Sequence, residues 1–169
     1  MSTHTEPFRL RVLRALQASL QQINPSNGSR FDLSKNVYVG RDIFGDDDPV
    51  PLVCILESVD EDPSIPSAND NPNRVGPWPL LIQGFIEAEG GDQPLAPAYH
   101  LAAEVERQIA KERMRCGREN NALGMNGMVD RIYFSKSIVR PADGQVSDKA
   151  YFWLRLTLNI AENLLDPYE

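Results

Sequence analysis

Histidine and cysteine are the residues of this chain whose types could hold a metal ion or act as nucleophiles. The 169 residues contain two of each, His4 and His100 with Cys54 and Cys116. Zinc sites take such ligands mostly in closely spaced pairs, and these four are far apart in the sequence. We therefore expect no zinc site, and His100 is interpreted as a surface or packed histidine. Nothing marks a secreted disulfide scaffold, so the two cysteines are expected to be free thiols.

Two short acidic runs have the composition of a calcium site without its spacing. Asp46-Asp47-Asp48 and Asp60-Glu61-Asp62 lack the fixed glycine and the terminal glutamate of an EF-hand loop. Runs of carboxylates are usually solvated. Acid–base pairs could be assembled from many Asp and Glu residues, so no particular pair is specific. No bound cation is expected at either run.

Glycine-rich and nucleophile motifs give no sign of catalysis either. The stretch 117–124 begins and ends with glycine but is not followed by Lys-Ser or Lys-Thr, as a phosphate-binding loop would be. The chain has no Gly-x-Ser-x-Gly motif. We expect no cofactor, no metal and no catalytic residues, and a protein that is not an enzyme.

Composition and charge exclude further classes of function. Hydrophobic residues make up 41% and charged residues 24%, which is ordinary for one globular domain spanning 1–169. No apolar run approaches the ~20 residues that span a bilayer, and no secretory signal is visible at the start. The formal net charge is −7. Binding to DNA phosphates requires clustered Lys and Arg, and no such cluster appears in the sequence.

The stretch 78–113 organises the predicted fold. Residues 78–89 are an apolar run that becomes alternating, which predicts a central strand buried on both faces at first and half exposed later. Glycine and proline at 90–94 end it. Pro97 suits the first turn of a helix, which we expect to run to residue 113. One apolar stripe lies along this helix and packs on the sheet. The stripe consists of Ala98, Leu101, Ala102, Val105 and Ile109.

The remaining elements complete an α+β domain. An amphipathic helix is predicted for residues 6–23, with Thr5 as its N-cap. Strands are predicted for 35–41, 50–60, 125 or 128 to 139, and 150–162, followed by a short tail at 164–169. Residues 150–162 show the clearest alternation of apolar and polar side chains. The expected fold is a mostly antiparallel sheet with the N-terminal helix and the second helix packed on one face.

A long segment rich in Pro and Asn, residues 61–77, is predicted to contain neither helix nor strand. Loops longer than ~12–15 residues are uncommon in compact domains and tend to be functional or disordered. Two interpretations remain open: a loose hairpin tip, or an arm that docks on a neighbouring subunit. The candidate contacts in this segment are Ile65, Asn69, Asn71, Arg74 and Val75.

Two further residues are candidate contacts with a subunit or partner. Arg41 is the last residue of the predicted strand 35–41 and directly follows Gly40. Trp153 falls on the less apolar side of the last strand, where it either packs locally or is exposed as an anchor for a partner.

The order and length of these elements resemble the tail terminator, or tail completion, proteins of long-tailed bacteriophages, which include the lambda-like terminator. The resemblance covers most of the chain: the helix 6–23, Val37-Tyr38-Val39-Gly40-Arg41, Pro51-Leu52-Val53-Cys54-Ile55, the strand 80–87, the helix 99–113 and the closing strand pair. The long Pro/Asn loop and the extended final hairpin depart from the family pattern.

The resemblance implies a structural virion protein without catalytic residues. It implies a homo-hexameric ring at the head-proximal end of a tail, where it stops polymerisation of the tail tube protein and meets the head–tail connector. DNA would pass through the lumen without sequence-specific binding, and no membrane is involved. The alternatives are another ring of the neck, or a small ligand-binding or enzymatic α+β domain with a pocket between helix and sheet.

Overall fold

The computed structural model describes residues 4–58, 72–143 and 148–169. These ranges contain two α-helices, six strands and two short 3₁₀ turns, which confirms the predicted α+β class. In chain order the helices and strands are α1 Phe8–Leu20, β1 Val37–Val39, β2 Leu52–Glu57, β3 Asn73–Ile86, α2 Ala96–Glu119, β4 Val129–Phe134, β5 Ile138–Arg140 and β6 Ala150–Asn163.

The strands form one sheet in the order β1-β2-β3-β6-β4, and β5 pairs with β6 beside β4. Only β1 and β2 run parallel among the described pairs; the others are antiparallel, as predicted. The central pair is β3 with β6, which match over all 14 residues of each strand, from Asn73 opposite Asn163 to Ile86 opposite Ala150. The sheet is therefore built outward from this ladder.

Both central strands alternate between buried and partly exposed residues. The alternation predicted for 150–162 is confirmed, with every second residue from Ala150 to Glu162 buried. The prediction that β3 begins buried on both faces is wrong: burial starts at Trp78 and then recurs at every second residue. A sheet covered by helices on one face needs only one apolar side, and α1 and α2 cover that side here. We call the helix-covered side the core face and the opposite side the outer face.

Helix α1 begins at Phe8 without the predicted Thr5 cap, because Pro7 is the N-cap residue and no side chain caps it. The backbone N–H of Phe8 instead donates to the carbonyl oxygen of Pro167, at 2.7 Å. A backbone carbonyl from the C-terminal tail thus satisfies one of the donors that a helix start leaves free.

Helix α2 continues to Glu119, six residues beyond its predicted end at 113. Cys116, which lies beyond the predicted end of the helix, is therefore part of α2 and buried. Glu112 explains the extension, because its buried carboxylate accepts hydrogen bonds from the Ser19 hydroxyl (2.9 Å) and the Leu123 amide (3.0 Å). These bonds join α2 to α1 and to the turn that follows. Asn120 ends the helix in a left-handed conformation.

The prediction that 61–77 contains no strand is wrong for its last five residues, which begin β3. Ser58 donates its amide to the carbonyl oxygen of Pro79 (3.3 Å), so Pro79 turns its backbone polar groups toward β2. Pro77, two residues earlier, faces the same way, beyond the point where β2 ends at Glu57. The backbone nitrogen of each proline faces away from β6, so its missing N–H removes no hydrogen bond between β3 and β6. The strand therefore tolerates both prolines.

Three other predicted strands have different bounds. The strand predicted for 35–41 is Val37–Val39, which leaves Arg41 outside it. The strand predicted to end at Val139 is two strands, β4 and β5, separated by residues 135–137. Ser137 donates both its amide (3.0 Å) and its hydroxyl (2.6 Å) to Glu106 of α2, which draws the chain out of the edge of the sheet. The strand predicted for 50–60 is Leu52–Glu57 among the described residues.

Replacing Gly84 with Ala should destabilise the fold. Gly84 lies on the core face opposite Phe152, and a Cβ there would overlap the Phe152 ring. Overpacking of this kind costs about 1–3 kcal/mol, which denaturant unfolding would measure. The matched control is Gly117→Ala in α2, where a Cβ meets open space and the gain in helix propensity is about 0.5–1 kcal/mol. An unchanged unfolding midpoint for Gly84→Ala would contradict this account of the ladder.

Candidate interaction surface

The apolar core that both helices cover lies on one side of the sheet, and the outer face on the other side is partly exposed, although Leu52 and Cys54 on it are buried. Register assigns its members, since residues opposite one another on paired strands share a face. On β1, β2, β3, β5 and the first part of β6, the outer-face residues are Tyr38, Leu52, Cys54, Leu56, Leu81, Gln83, Phe85, Ile138, Arg140, Tyr151, Trp153 and Arg155. Toward β4 the face continues through Thr157, Asn159, Arg131 and Tyr133.

An unbroken row of aromatic rings crosses this face. Tyr38, Phe44, Phe85, Tyr151 and Trp153 follow one another with ring centroids 5.7, 5.6, 6.0 and 5.9 Å apart. These separations lie within the range of favourable aromatic pairs. We call these five residues the aromatic row. It joins β1, the loop after β1, β3 and β6, so that one apolar strip spans elements that are distant in the sequence.

An arginine lies at each end of the aromatic row. The Arg41 guanidinium is 4.9 Å from the Tyr38 centroid and 4.7 Å from that of Phe44, and it donates two hydrogen bonds of 2.7 Å to Asp48. The Arg140 guanidinium lies 6.0 Å from the Trp153 centroid. Cations over ring faces are attracted by the ring quadrupole, so both arginines are held on the face.

The charged side chains among the register-paired strand residues of the outer face are arginines. Arg131, Arg140 and Arg155 are exposed on it, whereas none of the register-paired outer-face strand residues in the described ranges is Asp or Glu. Asp130 lies beside Arg131 in a bulge and accepts a hydrogen bond from Asn159 at 2.6 Å. The hydrogen bond from Arg131 to the Tyr133 hydroxyl, with help from Asp130, raises the pKa of Arg131.

Acidic residues gather where several strands meet at one end of the sheet. Leu52, Phe85 and Tyr151 lie opposite one another, so the segments that lead into β2, leave β3 and enter β6 are neighbours. The exposed carboxylates beside the Ile86–Ala150 pair are Glu87 and Asp148. Lys149 pairs with Glu87 (3.1 Å) and Asp148 (3.5 Å) and neutralises part of this charge.

The candidate contact residues from the sequence lie in different places. Arg41 and Trp153 both belong to the outer face, at opposite ends of the aromatic row. Val75 is 59% exposed in the first part of β3. Arg74 is turned to the core face, and the remaining three candidates, Ile65, Asn69 and Asn71, lie outside the described residues.

Sequence reasoning missed most of the aromatic row and Arg140. The alternation of β6 could have revealed Tyr151 next to Trp153, because both fall on its less apolar side. Phe44 and Phe85 carry no comparable signal. They reach the row only through the loop after β1 and the pairing of β3.

The described residues do not assemble a metal or nucleophile site. No group of three or more His, Cys, Asp or Glu in these ranges is close enough to hold a metal ion. Burial, with a smaller effect from Asp42, raises the pKa of Cys54 to about 12, so the reactive thiolate is scarce at neutral pH. An open groove of about 510 Å³ lies at the start of α2 and is lined partly by Leu95, Tyr99, His100 and Pro141.

Comparison with known proteins gives no family assignment. The chain matches no protein-family model, and a search of curated proteins found no significant relative. Among the described helices, none is both long and apolar enough to cross a membrane. Function must therefore be inferred from the surfaces of the molecule itself.

Arg74 belongs to a buried ionic cluster on the core face. Glu162 of β6 is 9% exposed and accepts hydrogen bonds from Arg74 of β3 and from Arg9 of α1 (3.0 Å). The Arg9 guanidinium also lies 5.1 Å from the Trp78 ring centroid. Burial opposes ionisation of Glu162, but the hydrogen bonds from both arginines outweigh it and lower the pKa of Glu162. The cluster fastens α1 to the central ladder.

Replacing Glu162 with Gln should destabilise the fold at pH 7 by about 1–3 kcal/mol, because the hydrogen bonds from Arg9 and Arg74 lose the charge of their acceptor. The pKa of Glu162 is lower in the folded protein than in the unfolded chain, where it is 4.5. The ionised carboxylate therefore stabilises the fold above pH 4.5, and this stability is lost as the pH falls through the folded-state pKa. The difference in unfolding free energy between wild type and variant should therefore shrink below pH 4.5. Urea unfolding from pH 7 down to the lowest pH at which both proteins fold would measure it.

The control is Glu119→Gln, since the Glu119 side chain is 62% exposed and its contact with Arg115 is 4.0 Å long. It should change the unfolding free energy little at any pH. A Glu162→Gln difference that is absent at pH 7, or that stays constant as the pH falls, would show that the cluster does not stabilise the fold in this way.

Proposed function

We propose that this chain is a structural virion protein that forms a ring at the head-proximal end of a phage tail. In this role it ends polymerisation of the tail tube protein and joins the tail to the head–tail connector, while DNA passes through the lumen without being read. The outer face of the sheet is the observation that carries the proposal. The resemblance in element order supplies the type of assembly and its hexameric stoichiometry.

The composition of the outer face supports a contact surface. Tyr, Trp and Arg are the residues most enriched among those that dominate binding energy at protein interfaces, and the aromatic row with its two arginines consists of these types and Phe. Tyr133 and Ile138, 53% and 47% exposed on the same face, add apolar surface that a partner could cover. Apart from Arg41 and Phe44, which lie in the loop after β1, these residues stand on paired strands, so little conformational entropy is lost when a partner binds.

A ring assembled from identical copies suits such a surface. A contact between two different patches of the same chain repeats from copy to copy, and it closes into a ring when the rotation allows. The arrangement needs no reacting group. It needs a fold that holds its patches in fixed directions, which the sheet and its two helices provide.

One observation favours a second candidate, a small ligand-binding domain. The groove at the start of α2 brings Tyr99, His100 and Asp92 to its walls. It is open to solvent, whereas small-molecule sites usually enclose most of the ligand surface. We therefore rank this function below the ring. A monomer that binds a small molecule in this groove would reverse the order.

The purified protein should form rings, alone or at the end of a tail tube. Sedimentation velocity over a dilution series would show a concentration-dependent oligomer, and negative-stain images with tubes of the cognate tail tube protein would show one capped end. Trp153→Ala should weaken assembly by ~30-fold if Trp153 acts as an anchor at the contact.

Met114→Ala is the matched control, because Met114 is 50% exposed on α2, which packs on the core face of the sheet. It should assemble as the wild type does. A protein that remains a monomer at every concentration and leaves tube ends uncapped would refute the proposed function.

A further inference from the structure

We propose that Leu165 of one copy inserts into the groove at the start of α2 of the next copy, so that the copies join head to tail. This inference rests on the proposed function and names the residue and the site that meet in the ring. It follows from how Leu165 is held, from the lining of the groove and from the distance between the two.

Leu165 is the most exposed large hydrophobic residue of the described ranges, at 83%. A single exposed leucine is ordinary on a protein surface, but a hydrogen-bonded turn fixes this one. The side-chain oxygen of Asn163 accepts hydrogen bonds from the backbone N–H groups of Leu165 (3.0 Å) and Asp166 (3.3 Å). The N–H of Leu164 donates to the carbonyl oxygen of Pro72 at 2.7 Å. An apolar side chain thus projects from a fixed backbone, so its burial by a partner would order little of the chain.

The groove at the start of α2 has a lining that suits a leucine side chain. Its volume is about 510 Å³, and most of its lining residues are apolar or aromatic, namely Pro94, Leu95, Ala96, Tyr99 and Pro141. Tyr99 is 60% exposed, so more than half of its surface is uncovered within one copy. The groove is open to solvent. This shape suits a side chain that projects from a neighbouring protein better than a small molecule, which a site usually encloses.

Leu165 and the groove lie at opposite ends of the central ladder. Leu165 lies two residues after Asn163, where β6 ends. Pro141 of the groove follows Arg140, which pairs with Tyr151 near the start of β6. A strand rises ~3.3 Å per residue, so the part of β6 from Tyr151 to Asn163 spans ~40 Å.

This distance determines the type of contact. Leu165 cannot reach the groove of its own copy, and a copy can therefore give its Leu165 to one neighbour and receive the Leu165 of another in its groove. A contact between two different patches of the same chain is head to tail, and it closes into a ring when the rotation between copies allows.

The groove also adjoins the outer face of the sheet. Pro141 directly follows Arg140, whose guanidinium lies 6.0 Å from the Trp153 ring centroid. Ile138, 47% exposed, pairs with Trp153 at the same edge. A stable interface usually buries ~800 Å² on each partner, which is more than one leucine supplies. Leu165 therefore acts as the anchor of a contact to which this part of the outer face adds area.

Truncating the anchor tests the contact. Leu165→Ala should weaken assembly by ~10-fold in sedimentation velocity, because most of the apolar surface that enters the groove is lost. Leu165→Asp should weaken it further, since a carboxylate would lose its hydration beside Asp92 of the groove. Both variants should unfold at the same denaturant concentration as the wild type, because the side chain is exposed in a single copy. Met114→Ala is the matched control and should assemble as the wild type does.

A disulfide across the contact tests both partners at once. In a chain carrying Tyr99→Cys with Leu165→Cys, the two new thiols are too far apart to bond within one copy, and the native Cys54 and Cys116 are buried. Mild oxidation of the assembled protein should therefore link position 99 of one copy to position 165 of the next, and non-reducing gels should show covalent oligomers. The control, Tyr99→Cys with Met114→Cys, should give no such ladder.

The outcomes separate this inference from the proposed function. If the wild type forms rings, but Leu165→Ala assembles equally well or positions 99 and 165 do not link, the inference is overturned while the proposed function stands. Links between these positions in an open chain of copies would uphold the contact and refute the ring. A wild type that stays monomeric at every concentration would refute both.

Discussion

The antiparallel ladder between β3 and β6 is the constraint on which the rest of the structure depends. Its 14 paired residues assign every side chain of both strands to one face of the sheet. A slip of one residue would exchange the two faces completely. Gly84 helps to fix the register, because only a residue without a Cβ leaves room for the Phe152 ring beside it. The core face and the outer face are thus two results of one pairing.

On the core face, two buried carboxylates fix the helices. Glu162 holds Arg9 of α1 to the ladder, and Glu112 of α2 accepts a hydrogen bond from Ser19 of α1. Each carboxylate has several donors, so its burial does not leave an unsatisfied charge. The helices are fixed against the sheet by directed bonds as well as by apolar packing, and the outer face therefore stands on a rigid support.

Local patterns in the sequence predicted the fold class, the N-terminal helix and the alternation of β6, because a helix stripe and a strand period are both contained within a few residues. The features that these local patterns missed depend on contacts between segments that are distant in the sequence. Asn73 to Pro77 looked too rich in turn residues for a strand. The backbone nitrogen of Pro77 faces away from β6, however, so its missing N–H does not interrupt the hydrogen bonds between β3 and β6. The end of α2 depends on Glu112 meeting Ser19 and Leu123, which lie in other elements.

The candidate surface was predictable only in part, for the same reason. Trp153 and Arg41 could be selected as candidate contacts one at a time. Their connection through Phe44, Phe85 and Tyr151 required the sheet order, because the five rings of the aromatic row come from four separate parts of the chain. The phage-tail assignment was suggested by the order of elements and stays a proposal, to be judged by how the surfaces behave.

The most direct test of whether this protein acts through its outer face is hydroxyl-radical footprinting of the wild-type chain across its assembly transition. Oxidation is read by mass spectrometry at Trp153 and Tyr133 on the outer face, with Tyr168 and Met114 elsewhere on the surface as references. The account predicts that Trp153 and Tyr133 become protected as copies associate, while Met114 stays reactive. Equal reactivity of the outer-face residues in dilute and assembled protein would contradict it.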